Sequence, residues 1–197
     1  VVNGEFHAYE RGIPSALPIR SPDQLRYTFP TFTIGEMATA SVLVPSDHKW
    51  RFAFRSEPSK AGACTIPLPG YTDFAEPDER LGLNGINQLV SFGEELSAFA
   101  LQRMLDFVPT CVANPLAVDL WVPHAASATL CKIAESKLSL HGRLFGDVFP
   151  EYGNVVSASI PTGIAMALNS NRLKRGDRLI LCPASAGMSF ALVDCVY

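Results

Sequence analysis

Between positions 87 and 107 the apolar residues Leu89, Phe92, Leu96, Phe99, Ala100 and Met104 recur at steps of three and four. That spacing follows one face of a helix and predicts one there. The pattern breaks between 108 and 115. A short, largely apolar run over 116–122 follows, of the kind buried in parallel sheets. A second helix is predicted over 126–138, with Leu130, Ile133, Ala134 and Leu138 on one face. A third starts near Pro161, which suits the first helical position, with Ser159 as its cap. Positions 171–176 close it. Strands over 178–183 and 190–196 end the chain, joined by Ala184-Ser185-Ala186-Gly187-Met188-Ser189.

The upstream part is less regular. Residues 1–6 read as an incoming strand. Pro14, Pro18, Pro22 and Pro30 leave little room for regular structure over 12–30, which reads as a loop. Residues 31–44 read as a turn of small residues leading into a strand, and 49–55 as another strand. The stretch 56–80 is rich in proline, glycine and acidic residues and reads as a surface excursion or mobile loop. Strands alternating with helices give an α/β layered architecture.

Composition narrows the function classes. The 197 residues are 48% hydrophobic, enough for a real core in one domain or in one half of a pseudo-repeated fold. The formal charge is 16 − 19 = −3, which gives no reason to expect nucleic acid. No apolar run reaches the roughly 18–20 residues of a membrane span. No charged-then-apolar leader is visible, and the chain opens on Val1 rather than methionine, as a piece of something longer would. Five cysteines at irregular spacing, with no CxxC pair, read as reduced thiols of a cytoplasmic protein rather than a metal site.

Three residues carry candidate chemistry. His124 follows a hydrophobic strand and precedes a helix. Ligand sites of open α/β sheets lie beyond strand carboxyl ends. The residue reads either as a capped histidine bonding a neighbour or as a neutral donor to a developing enolate or oxyanion. Asn154 follows Gly153 and precedes the small residues Ser157-Ala158-Ser159. It reads either as a turn residue or as a second donor to the same oxygen. Gly187, between two strands, reads as a tight-turn glycine or as a backbone N–H of an oxyanion hole. His7, His48 and His141 have no partners at ligand spacing and read as surface residues. Lys132, Lys137, Arg143, Lys174 and Arg175 read mostly as a solvated face, although they could meet phosphates of coenzyme A or a carrier protein.

The segments Val122-Pro123-His124-Ala125-Ala126-Ser127 and Tyr152-Gly153-Asn154, the latter followed by Ser157-Ala158-Ser159-Ile160-Pro161, resemble the histidine and asparagine motifs of the β-ketoacyl-acyl-carrier-protein synthase III family. Positions 172–178 and 185–189 are similar to its closing strands and glycine turn. The match is convincing over 116–197 and weaker over 25–110. The resemblance implies a thiolase-like α-β-α-β-α fold, with this chain supplying mainly the second half.

It also implies decarboxylative Claisen condensation of an acyl thioester with a malonyl thioester, in fatty-acid or polyketide-type synthesis. His124 and Asn154 would hold the thioester oxygen and stabilise the enolate; the acyl-cysteine oxyanion would lie near the Gly187 amide. Coenzyme A or acyl-carrier-protein thioesters would be substrates, with no permanently bound cofactor and no metal. The family's cysteine opens a buried helix in the first half of the fold, before the region that resembles Val1 onward. None of Cys64, Cys111, Cys131, Cys182 and Cys195 has that context. The expectation is an N-terminal half carrying the cysteine, separate or cleaved, and a dimer of the complete fold. The rival readings are acyl transfer to a small nucleophile and a non-catalytic partner subunit of a heterodimer.

Overall fold

The computed structural model describes residues 2–5 and 19–197. A four-strand path forms the main sheet, in the order β3 (Arg51–Lys60), β9 (Gly187–Val196), β7 (Arg178–Cys182) and β6 (Leu120–Pro123), with the short β8 (Ala184–Ser185) also on β9. β6 and β7 run parallel; β9 is antiparallel to both β7 and β3. Trp121, Ile180, Cys182, Phe190 and Leu192 project from one face and bury Phe107, Val108 and Val112. Those three belong to α2 (Gly93–Cys111) and its end. Leu120, Val122, Leu179 and Cys195 project from the other face and pack with Ala167 of α5 (Ser159–Asn169). α5 touches β6 on one side and β2 (Met37–Ala40) on the other. β2 pairs antiparallel with β1 (Val2–Glu5), so the layers run α2, main sheet, α5, small sheet.

Several elements differ from the sequence reading. Within 12–30, residues 12–18 lie outside the described residues, as do Val1, Phe6 and His7. The rest is not a loop: α1 spans Pro22–Thr28 and a 3-10 turn spans Phe29–Thr33. Pro22 starts this helix rather than breaking it. Its missing N–H would be unpaired anyway, and Ser21 Oγ accepts from the Gln24 N–H at 3.3 Å. The helix read at 87–107 lies at 93–111 because Val90–Ser91 forms β5 against β4 (Cys64–Thr65). It runs past Pro109, which falls in its last turn.

The loop read at 56–80 begins later. Ser56 still pairs with Ser189, and Lys60 with Gly187 after a register shift, so residues 56–60 continue β3. Beyond them the chain is irregular but tied: Asn84 Nδ2 donates to Thr28 Oγ1 at 3.0 Å and to the Leu89 carbonyl at 2.7 Å. The run 116–122 divides into a 3-10 turn at Pro115–Ala117 and β6. The helix read at 126–138 is α3 (Ala128–Lys137), capped by Ser127 Oγ. A short α4 (Val148–Tyr152) went unread. Ser159 does not cap α5; it is the first residue of the helix and its hydroxyl does something else.

Candidate functional site

His124 emerges where β6 ends, and its backbone N–H donates to the Cys182 carbonyl at the end of the adjacent parallel strand, at 3.0 Å. The next N–H, of Ala125, donates to Ser159 Oγ at 2.9 Å. Ser159 and Ala125 are both fully buried. The hydroxyl therefore satisfies a donor that no water reaches, and fixes the turn that carries the histidine.

Asn154 is held from a different direction. Its N–H donates to the Thr33 carbonyl at 2.8 Å, and its own carbonyl accepts from Gly35 N–H at 3.0 Å. This bridge needs backbones in near contact. A Cβ on Gly35 would lie 1.8 Å from the Tyr152 carbonyl oxygen, and one on Gly153 would lie 2.6 Å from that of Thr33. Gly153 also takes φ of 73°, open to glycine at little cost. Asn154 Oδ1 accepts from the Val156 N–H at 3.1 Å. That bond orients the amide, whose Nδ2 remains available as a donor.

The same Val156 backbone receives the His124 ring. Burial lowers the histidine pKa below its ordinary value, and the hydrogen bond to Val156 works in the opposite direction. A bond that favours the charged ring is one in which the ring N–H donates. Val156 sits at φ of 44°, a rare conformation for a β-branched residue, and one residue thus anchors both side chains.

His124 and Asn154 line one cavity of about 1050 Å³. Its walls are mostly apolar: Leu25 and Phe29 from the α1 region, Leu96 and Leu101 from α2, Leu130 and Ile133 from α3. Ser185, Ala186 and Met188 line it from the β8–β9 turn. Gly187, at φ of 125°, belongs to this turn but not to the lining. The structure therefore brings His124 and Asn154 together and sets Gly187 beside them.

Cys64 also lines the cavity. Burial raises its pKa, against a hydrogen bond with Ser91, so it is a thiol and not an activated thiolate. Cys131 and Cys195 are pushed up to about 11, and buried Cys182 further still. His48 and His141 are exposed, as are Lys132, Lys137, Lys174 and Arg175. Among the described residues no three His, Cys, Asp or Glu side chains gather as metal ligands, and no helix is long and apolar enough to cross a membrane.

Sequence reasoning missed Ser159 as a partner of Ala125, the Thr33–Gly35 clamp and the α1 wall. The small-residue run 157–159 signalled close approach without saying of what.

Residues 113–193 match the family model described as the C-terminal part of 3-oxoacyl-[acyl-carrier-protein] synthase III. Over this region the chain is similar to the β-ketoacyl-acyl-carrier-protein synthase III family. The enzyme of that name from Bartonella bacilliformis is 28% identical over 105 residues, 51% of this chain and 32% of its own length. That from Symbiobacterium thermophilum is 27% identical over 160 residues, 78% of this chain and 48% of its own. The chain thus spans about a third to a half of these curated relatives. The crystal structure of the Thermus thermophilus synthase III superposes with a TM-score of 0.66 at 23% identity, covering 82% of this chain and 50% of that one. An OleA variant from Xanthomonas campestris gives 0.74 at 19% identity, covering 100% of this chain and 56% of that one. The fold is thiolase-like, and this chain covers about half of each of these two structures.

Proposed function

We propose that this chain supplies the enolate-stabilising half of a decarboxylative condensing site. The observation that carries the reading is the pair His124 and Asn154, anchored on one Val156 backbone and facing one apolar cavity. A malonyl thioester places its carbonyl oxygen between the His124 ring and the Asn154 amide. The C–C bond to the carboxylate breaks, carbon dioxide leaves, and the electron pair forms an enolate held by the two donors. The enolate carbon attacks the carbonyl carbon of an acyl-cysteine, whose oxyanion lies near the Gly187 N–H. The tetrahedral species collapses to a 3-oxoacyl thioester and expels the cysteine thiolate.

Burial keeps the ring neutral, with a single N–H, and that N–H serves the thioester oxygen by turning to it from the Val156 backbone. The nucleophile belongs to the cysteine-bearing N-terminal half of the fold, since Cys64 is held as a thiol. Acyl groups arrive as coenzyme A or carrier-protein thioesters, with no resident cofactor. The complete protein is a cytoplasmic dimer in fatty-acid or polyketide-type synthesis.

The test is malonyl-thioester decarboxylation by the completed protein. His124→Ala and Asn154→Asp each lower the rate by about 10²–10³, as removing an oxyanion donor does. Rates equal to the parent's end the assignment.

A further inference from the structure

Two polar side chains interrupt the apolar wall of the cavity that His124 and Asn154 share. Cys64 of β4 lies directly opposite Ser91 of β5, and Thr65 lies opposite Val90. Residues facing each other across an antiparallel pair share a side, and neighbours along a strand alternate. Cys64 and Ser91 accordingly both line the cavity, with Val90 buried behind them. The strand pair is held firmly. Phe92 N–H donates to the Ala63 carbonyl at 2.8 Å, and Asn87 N–H to the Pro67 carbonyl at 2.8 Å. Asn84 Nδ2 holds the Leu89 carbonyl at 2.7 Å.

The hydrogen bonding of the two side chains is incomplete. Ser91 is 6% exposed, which leaves its hydroxyl little access to bulk water. Its bond to Cys64 favours the thiolate, so the hydroxyl donates and the sulfur accepts. Burial outweighs that bond and keeps the thiol protonated. The Ser91 lone pairs and the Cys64 S–H are then left over. Other hydroxyls of the lining are engaged or wetter. Thr33 Oγ1 donates to the Pro30 carbonyl at 2.8 Å, and Ser127 Oγ accepts from Leu130 N–H at 3.3 Å. Thr129 and Ser185 are exposed, and Ser97 is only half-buried.

Sulfur is a weak acceptor, and a buried hydroxyl short of partners costs free energy. Two aliphatic residues would suit an unsubstituted alkyl chain better. A ligand hydroxyl meets both groups at once: its O–H donates to Ser91 Oγ, and its oxygen accepts from the Cys64 S–H. A ketone accepts but cannot donate, and a carboxylate would bring a charge against an apolar wall.

We propose that Cys64 and Ser91 select a substrate whose acyl chain carries a hydroxyl group. The inference rests on the condensing reading above and names the substrate class of that cavity.

Calorimetry on the completed protein tests it. The probes are analogues of octanoyl-coenzyme A with carbon in place of the thioester sulfur, unsubstituted or bearing one hydroxyl at successive chain carbons. At one position the hydroxyl tightens Kd about 10-fold. That advantage falls to about one in Ser91→Ala and shrinks in Cys64→Ala. Equal Kd across the whole series in the parent overturns the proposal, and so does an advantage that persists in folded Ser91→Ala. The parent series needs no variant, so it decides the matter even if a variant fails to fold. Because the analogues do not react, the two readings fail separately. A hydroxyl preference with His124→Ala fully active in decarboxylation removes the chemistry alone. An inactive His124→Ala with no hydroxyl preference in the parent removes the recognition alone.

Discussion

Replacing Ser159 by alanine takes one oxygen out of the corner where α5 meets the end of β6. The hydroxyl accepts the Ala125 N–H at 2.9 Å, and neither residue has measurable exposure. The amide left behind has no water to turn to, so the cost is that of an orphaned buried donor, about 1–3 kcal/mol. A chain of this size loses about 2–4 °C of melting temperature per kcal/mol, so a 2 kcal/mol loss lowers Tm by about 4–8 °C. Ser170→Ala is the control. Its hydroxyl bonds the Met166 carbonyl at 2.8 Å, but the residue is exposed and water replaces it, so its effect stays within about 0.5 kcal/mol. Thermal denaturation of both variants gives the comparison, and amide exchange at Ala125 locates the damage. Decarboxylation falls with stability, because His124 rides on the same turn. If Ser159→Ala melts with Ser170→Ala and the Ala125 amide stays protected, the hydroxyl is not the partner that holds the site.

Gly35→Ala places a methyl 1.8 Å from the Tyr152 carbonyl oxygen, a backbone atom that cannot swing aside. It costs about 1–3 kcal/mol and lowers decarboxylation by displacing Asn154; a parental Tm and rate would refute the clamp. The His124 ring titrates below its ordinary value of 6.5 because burial opposes its charge. Between the lowered value and 6.5 the unfolded chain holds a proton that the folded chain does not. This contribution to stability therefore declines as pH falls through that window. The ring proton signals by NMR give the midpoint, and one above 6.5 contradicts the buried, neutral ring. Asp194 is held below the usual carboxylate range, first by hydrogen bonds from Arg178 and then by Arg51. Its contribution is full above the ordinary carboxylate pKa and is lost as pH falls through the lowered one. Urea midpoints across acidic pH should fall less steeply for Asp194→Asn than for the parent; equal slopes would show the pair contributes nothing.

Local pattern made the C-terminal elements legible. β7, β9, α3 and most of α2 follow from periodicity, because each buries a regular stripe whose spacing is set by its own backbone geometry. The order of His124, Asn154 and the glycine turn was legible through the family resemblance. Errors arose where a distant partner decided the local structure. Residues 56–60 are strand because β9 offers a paired edge, despite Pro58 and the Pro/Gly-rich sequence that follows. Residues 90–91 leave the helix because Cys64 and Thr65 pair with them.

The sequence by itself determined the alternating architecture and the order in which His124, Asn154 and the glycine turn follow one another. Tertiary structure decided what each does. Ser159 turned from cap to anchor because Ala125 arrives from 34 positions away. Asn154 became a fixed amide because Thr33 and Gly35 bridge to it, and Val156 became the shared support of two side chains. Those bonds join segments far apart in the chain, and neither propensity nor periodicity carries information over such separations. The exposed strip of β3 is likewise a property of packing, since Phe52 and Phe54 alternate as any buried strand would and only the described neighbours show how far they stand open.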